Sequence, residues 1–452
     1  MKKVTKLAML LLAGTLSIGF VSCSSSDDVT PSPLVTEEQQ TTLEQAESAS
    51  KANAQKTEMG KIISNYLDAV IKPTYQDLAN KADVLYKTCQ NLYQKRKAGT
   101  LTQNDIDAAC AAFKDARRDW EQSEAFLYGA ATDNQIDPHI DSWPLDHSQL
   151  TQALNNADVI AGITGENPAK YVYENNSNFD SVLGFHGLEF VLFRNGQNRT
   201  VAAFNAEKET EAGLTSVKTI DEAAFAVAVA GDLRNMTYLL EYGWLGLSTP
   251  TSHQEQLANA MWVINGTRYH GLSAKNIPYR DFLRYATTEQ GWFPTWHEAL
   301  QNIFDGGCGN ICNEVAEQKL GQAYRVATGT GTSEDAANYI ESPYSKRSFQ
   351  DYHDNIYSIK NSLYGVRGTE NISTPVDNSI MNFLKKYNYA GYNDLNNALN
   401  EAIGALETAK KSGVAFIDNP GAAQVKNCID KVQALNDELG KAGAWINQQV
   451  DK

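Results

Sequence analysis

The sequence predicts an all-α protein, and three observations carry that prediction. Apolar residues recur at steps of three and four, as in Tyr75, Leu78, Ala82, Leu85, Cys89 and Leu92, and again in Cys428, Val432, Leu435, Leu439, Ala442 and Ile446. Strict two-residue alternation, the mark of a half-buried strand, is scarce. Helix starts are signalled by capping-box spacings at Thr102 with Asp105, Thr219 with Glu222, and Ser252 with Glu255.

Taken from its start, the chain first presents an address. Residues 1–22 read as an export signal: Lys2, Lys3 and Lys6, an apolar run from Leu7 to Phe20, then small residues before Cys23. That run is too short for an ordinary spanning helix. Phe20-Val21-Ser22-Cys23 resembles a lipobox, which would make Cys23 the lipid-modified first residue of a mature lipoprotein; a plain secretory signal is the alternative. Ser24-Ser25-Ser26-Asp27-Asp28 resembles the acidic tags that route lipoproteins to the cell surface. The expected address is the outer membrane, on its surface or periplasmic face, with the membrane touched only through the lipid.

Residues 23–55 are rich in Ser, Thr, Glu and Gln, contain Pro31 and Pro33, and lack an apolar stripe, which predicts a flexible tether. Helical periodicity then dominates to the end. A four-helix bundle uses roughly 100–150 residues, so about 400 residues of helical pattern predict two bundles packed against each other. The stretch 242–252, with Gly243, Gly246 and Pro250, is the preferred boundary, giving bundles over 56–245 and 246–452.

Charge excludes some partners. Without the leader's three lysines, the 39 basic residues become 36 against 54 acidic ones, a formal charge of −18. Such a chain repels nucleic acid and anionic membranes, and no basic patch reverses this. Acidity suits the collection of cations, although it also simply keeps proteins soluble. Five cysteines follow Cys23. Cys308 and Cys312, in a stretch expected to be bent by Gly306, Gly307 and Gly309, form the best disulfide candidate, while Cys89 and Cys110 either pair or merely pack.

The run Gly184-Phe185-His186-Gly187-Leu188-Glu189-Phe190 carries the chemistry. Phe179, Val182, Leu183, Phe190 and Phe193 trace an apolar helical stripe that His186 and Glu189 continue, so both side chains should face inward. A carboxylate there needs a partner, because burying it alone costs several kcal/mol. Either the pair and its neighbours satisfy one another, or they bind a cation. Ile106, Ala109, Phe113, Ala116, Trp120 and Leu127 trace the buried face of an earlier helix, with Glu124 one turn beyond Trp120. The next loop, residues 137–147, packs Asp137, Asp141, Asp146, His139 and His147 together, and is read either as a solvated turn or as part of a site. No His-Glu-x-x-His occurs, and a lone His-x-x-Glu supplies at most two of the three protein ligands a catalytic zinc needs. No nucleophile elbow, phosphate loop or dinucleotide fingerprint is present.

With these residues in view, the chain resembles the imelysin family, which comprises the M75 peptidases and is also described as iron-regulated periplasmic or surface proteins. Its Gly-x-His-x-x-Glu motif is matched by Gly184, His186 and Glu189, followed by Phe190-Val191-Leu192-Phe193. A second block is Trp120-x-x-Ser123-Glu124-x-Phe126 through Gly129, leading into Ile136-Asp137-Pro138 and Trp143-Pro144. A third is Glu341-Ser342-Pro343-Tyr344-Ser345, then Phe349-x-Asp351, Asn355 and Leu363-Tyr364-Gly365. The resemblance implies two related bundles, a His186–Glu189 metal site at or near their interface, and a role in iron uptake. It also implies that Ser345, Asp351 and Asn355 approach that site from the second bundle, beside Glu124, Asp137 and Trp143.

Two functional classes follow. The first is a tethered binding protein that captures iron, or an iron-bearing small ligand, and hands it to an envelope iron transporter. Hard oxygen ligands with one imidazole suit iron and also accept zinc or manganese. The second is an M75-type metallopeptidase in which His186 and Glu189 hold zinc and a nearby carboxylate activates water.

Overall fold

The structure is a computed structural model that describes residues 58–448 apart from 261–262, 265–266, 269–270 and 274. The expected leader, Cys23 and the tether lie outside the described residues. The principal helices are named here in chain order.

Helix α1, Glu58–Tyr66, continues through a wide turn, Leu67–Ile71, into α2, Lys72–Ala98. The buried face of α2 carries Tyr75, Leu78, Ala82, Leu85, Cys89 and Leu92, the residues its periodicity selects. Pro73 falls in its first turn, where a missing N–H costs nothing. Helix α3, Gln103–Glu121, opens with the expected capping box: the Thr102 backbone N–H donates to Asp105 at 3.0 Å, and Thr102 in turn caps the first turn. Then come α4, Gly184–Leu192, and α5, Thr219–Leu245. The C-terminal half contributes α6, Ser348–Tyr364, α7, Tyr392–Lys411, and α8, Ala423–Ile446.

Helix α5 is apolar on all sides and buried almost throughout, so it must sit inside other helices. It packs on α2 and α4, while α3 lies against α2. Further along the chain α7 pairs with α8 and packs against α6. Helix α6 is itself buried along nearly its whole length, because its other side meets α3 and the short turn Glu124–Phe126. The described residues fall in one compact unit. The fold is all-α: the strands among them are two-residue ribbons, Phe193–Arg194 with Gln197–Asn198 and Val263–Ile264 with Thr267–Arg268. No helix among the described residues is long and apolar enough to cross a membrane.

Several local expectations are corrected. Thr219 is inside the first turn of α5 rather than its cap, and its hydroxyl donates instead to the carbonyls of Phe204 and Ala206 at 3.0 and 2.5 Å. The helix at 251 begins with Thr251, which puts Ser252 within it. Cys308 and Cys312 are free, buried thiols, as are Cys89, Cys110 and Cys428. The glycines around Cys308 do not bend the chain; residues 302–313 stay helical through a wide turn. Gly307 instead permits close packing, since a Cβ there would stand 2.2 Å from the Ala125 carbonyl oxygen. Cys312 donates to the Val432 carbonyl at 3.1 Å.

Candidate metal centre

Arg117, on the last turns of α3, is fully buried and lies at the middle of a carboxylate cluster. Its Nη1 donates to Asp141, and its Nη2 donates to Glu341, 224 positions away in sequence. The same Nη2 is 2.6 Å from Glu121, and Nε is 3.8 Å from Asp351. The Phe185 ring sits 5.2 Å from the guanidinium carbon and closes that side. A second buried cation, Lys319, is 3.2 Å from Glu341 and 3.9 Å from Glu124.

Asp141 connects this cluster to the histidine. It follows the short helix Asp137–Ile140 and accepts from Trp120 Nε1 at 3.0 Å as well as from Arg117. His186 Nε2 lies 2.8 Å from Asp141 Oδ1. The other ring nitrogen, Nδ1, faces Glu189 Oε2 at 3.9 Å. Glu189 is wholly buried, and its Oε1 accepts from the backbone N–H and the hydroxyl of Ser345 at 2.7 and 2.6 Å. Its Oε2 has no hydrogen-bond donor. Asp351 accepts from the Ser342 hydroxyl, and Asn355 donates to Glu121 at 2.6 Å.

Five buried carboxylates, Glu121, Glu124, Glu189, Glu341 and Asp351, therefore share this region with the partly buried Asp141, six in all. Arg117 and Lys319 oppose them, with Arg347 at the edge, 3.9 Å from Asp351. Burial governs their acidities. Burial pushes Glu121, Glu124, Glu341 and Glu189 above the ordinary glutamate range, despite the pull of Arg117, Lys319 and, for Glu189, His186 and Ser345. Burial acts the same way on Asp141 but is outweighed by Arg117, His186 and Lys319, which hold its carboxyl well below the aspartate range. A cation supplied from outside would relieve the first four. Ligand atoms of Asp141, His186 and Glu341 all lie within 4.8 Å of one another, a spread that one metal ion can span.

Half-buried Trp143 covers the histidine side, its ring centre 6.1 Å from that of His186 and 4.2 Å from that of Tyr339. Asp137 stands at the rim. It makes no direct bond to the cluster, yet burial and the nearby Asp141 charge push its carboxyl up to about 7.

The residues singled out from the sequence thus separate by position. His186, Glu189, Glu124, Ser345, Asp351 and Asn355 meet in the cluster, Trp143 flanks it, and Asp137 is peripheral. Two local expectations change. Helix α3 ends at Glu121, and Glu124 belongs to a separate turn, Glu124–Phe126. Phe179, Val182 and Leu183 precede α4 rather than extending it. Arg117, Lys319 and Glu121 were not anticipated, and Asp141 and Glu341 appeared only inside longer blocks. Arg117 had a signal: Ile106, Cys110, Phe113, Arg117 and Trp120 step by four, three, four and three, which puts the guanidinium in the apolar seam.

A family model described as Imelysin (peptidase M75) matches residues 71–441. The chain belongs to the imelysin family. Among curated proteins, iron-regulated protein A of Synechococcus elongatus is 31% identical over 131 residues, which is 29% of this chain and only 31% of that protein. Among solved structures, a Parabacteroides distasonis protein provisionally named an iron-regulated protein A precursor shares the fold, with a TM-score of 0.63 and 24% identity over 86% of this chain and 94% of that one. An imelysin-like protein from Psychrobacter arcticum aligns at 16% identity over 88% of this chain and 94% of that one, with a TM-score of 0.46. In this imelysin, Gly184, His186 and Glu189 do three different things. Gly184 has φ +64°, and a Cβ on it would stand 1.9 Å from the Ile140 carbonyl oxygen. Only glycine lets α4 begin hard against the 137–140 turn, and that contact carries His186 to Asp141. His186 turns Nε2 toward the cluster, and Glu189 stands behind the ring.

Proposed function

We propose that this imelysin is an envelope lipoprotein that captures iron, or a small iron-bearing ligand, and serves iron uptake. The binding site is read as Asp141, His186 and Glu341, lying where the two helical halves meet, divided near residue 245. The carrying observation is the buried surplus of carboxylates around Arg117, with His186 Nε2 and Asp141 converging beside Glu341. The orphaned Glu189 Oε2 behind the imidazole supports the same reading. A carboxylate on the far nitrogen orients a ligating histidine and raises its basicity. Oxygen donors with one imidazole suit iron, and accept manganese or zinc as well. The name of the iron-regulated Synechococcus relative favours iron as the physiological cargo. The leader and Cys23 would place the protein at the outer membrane, from which an envelope transporter would receive the cargo.

Elemental analysis tests this on protein isolated from its own envelope without chelators or added metal. Iron should copurify and be lost in a His186→Ala, Asp141→Ala variant that keeps its helical circular dichroism. Metal-free protein that also fails to bind added iron would overturn the proposal. The family's peptidase description keeps hydrolysis as the competing reading. Cleavage of unfolded peptides by the zinc-loaded protein, abolished in Glu189→Ala, would favour it.

A further inference from the structure

The carboxylates form two overlapping sets that share one member. Ligand atoms of Asp141, His186 and Glu341 make the first, and those of Glu121, Glu124 and Asp141 make the second, each set within 4.8 Å. The second set has its own sign of an absent partner. Glu124 is 8% exposed and accepts no hydrogen bond; its ionic neighbour Lys319 stands off at 3.9 Å. Across from it Glu121 Oε1 is buried without a hydrogen-bond donor, although Arg117 lies 2.6 Å away as an ion-pair partner. A buried carboxylate without a donor carries a desolvation cost of about 1–3 kcal/mol or more, and a cation removes it.

We infer that the centre takes two metal cations, bridged by Asp141, one held by His186 and Glu341 and the other by Glu121 and Glu124. The inference rests on the metal-binding reading above and adds a second ion to it. Charge is consistent with the count: once ionised by bound cations, the six carboxylates against Arg117, Lys319 and Arg347 carry three net negative charges, more than one divalent ion neutralises. A bridging carboxylate has one oxygen for each ion, and paired ions in such centres sit roughly 3.5–4 Å apart. Asp141 already directs its two oxygens differently, Oδ1 toward His186 and Oδ2 toward Trp120. Arg117 and Lys319 are then the residues that keep the carboxylates gathered before the ions arrive.

The test loads the full chain with Fe2+ under argon, and separately with Mn2+, and removes free ion by gel filtration. Two ions per chain are expected, with the paramagnetic resonance of the Mn2+ form showing exchange coupling between neighbours. Glu124→Gln should retain one ion, magnetically isolated, and His186→Ala should also retain one. One ion in the unaltered protein, or two in Glu124→Gln, or two uncoupled ions, overturns the inference and leaves single-site binding intact. No retained ion of either kind overturns both. The coupling measurement on the unaltered chain needs no variant and decides the matter if one fails to fold.

Discussion

Replacing Arg117 with methionine removes the charge that holds Asp141, Glu121 and Glu341 together while keeping most of the side-chain volume. Lys319 stays but is engaged by Glu341 and, more distantly, by Glu124 and Glu314, so Asp141 loses its main counter-ion. Breaking a buried pair in this way costs about 3–5 kcal/mol. Proton uptake sets a ceiling on that loss. A carboxylate of ordinary acidity, near pKa 4, can be protonated in the folded state at pH 7 for about three units, or roughly 4 kcal/mol; at pH 5 the same escape costs about 1.4 kcal/mol. The sign follows from linkage. Asp141 is depressed in the folded protein, so its contribution is present above the unfolded pKa and is lost only as pH falls through the folded value. The metal-free Arg117→Met protein should therefore be about 4 kcal/mol less stable than the parent at pH 7, and the gap should shrink to between 1 and 2 kcal/mol at pH 5. Urea titrations followed by far-ultraviolet circular dichroism at the two pH values give both numbers. A loss below about 1 kcal/mol at pH 7, or one that does not change with pH, would refute Arg117 as the counter-ion of the cluster.

Three further outcomes are expected. Gly184→Ala places a methyl group against the Ile140 carbonyl at a left-handed residue; it should cost upward of about 2 kcal/mol in urea titrations and weaken metal binding by displacing His186, and an alanine variant of parental stability would show that the contact relaxes freely. Asp137, raised to about 7 by burial, stabilises the folded state while protonated, fully below about pH 4 and progressively less as pH rises through 7. Asp137→Asn should thus raise the melting temperature at pH 8 relative to the parent and leave it unchanged at pH 4; an equal difference at both values would exclude the assigned cause. The thiols of Cys89, Cys308, Cys312 and Cys428, buried and mostly pushed up to about 12 or beyond, should react with a thiol reagent only after unfolding, whereas labelling at the rate of a free thiol in the native protein would contradict their placement.

The helices that a period of 3.6 can reveal were legible where one face meets solvent. Helices α2, α3 and α8 show their buried faces residue by residue, and the Thr102 cap forms as its spacing predicts. The pattern failed where burial is complete. Every residue of α4 is buried, so an apolar run from Phe179 onward could not show that the helix starts only at Gly184, where a left-handed glycine meets a neighbouring carbonyl. Glu124 lies beside Glu121 although its helix has already ended, because only the short turn after Glu121 separates them. His186 and Glu189 were legible in the apolar stripe they continue, Ser345 and Asp351 in a motif block, and Arg117 in its spacing alone. Lys319 had no local signal and Glu341 stood only at the head of a longer block, since what brings them to the Arg117 cluster is the docking of segments some 200 positions apart. Cysteines four apart among glycines looked like a bend, and close packing of Gly307 on Ala125 was the actual reason for the glycines.

The span between Arg117 and Glu341 has a bearing on when the protein can work. A chain cut short before Glu341 has neither Ser345 behind Glu189, nor Asp351 beside the guanidinium, nor Asn355 on Glu121. Such a fragment keeps Asp141 and His186 but lacks the wall that confines them. If the proposed function holds, grip on a cation would wait until three quarters of the polypeptide has emerged and collapsed, and half-made or clipped molecules would not retain the cargo.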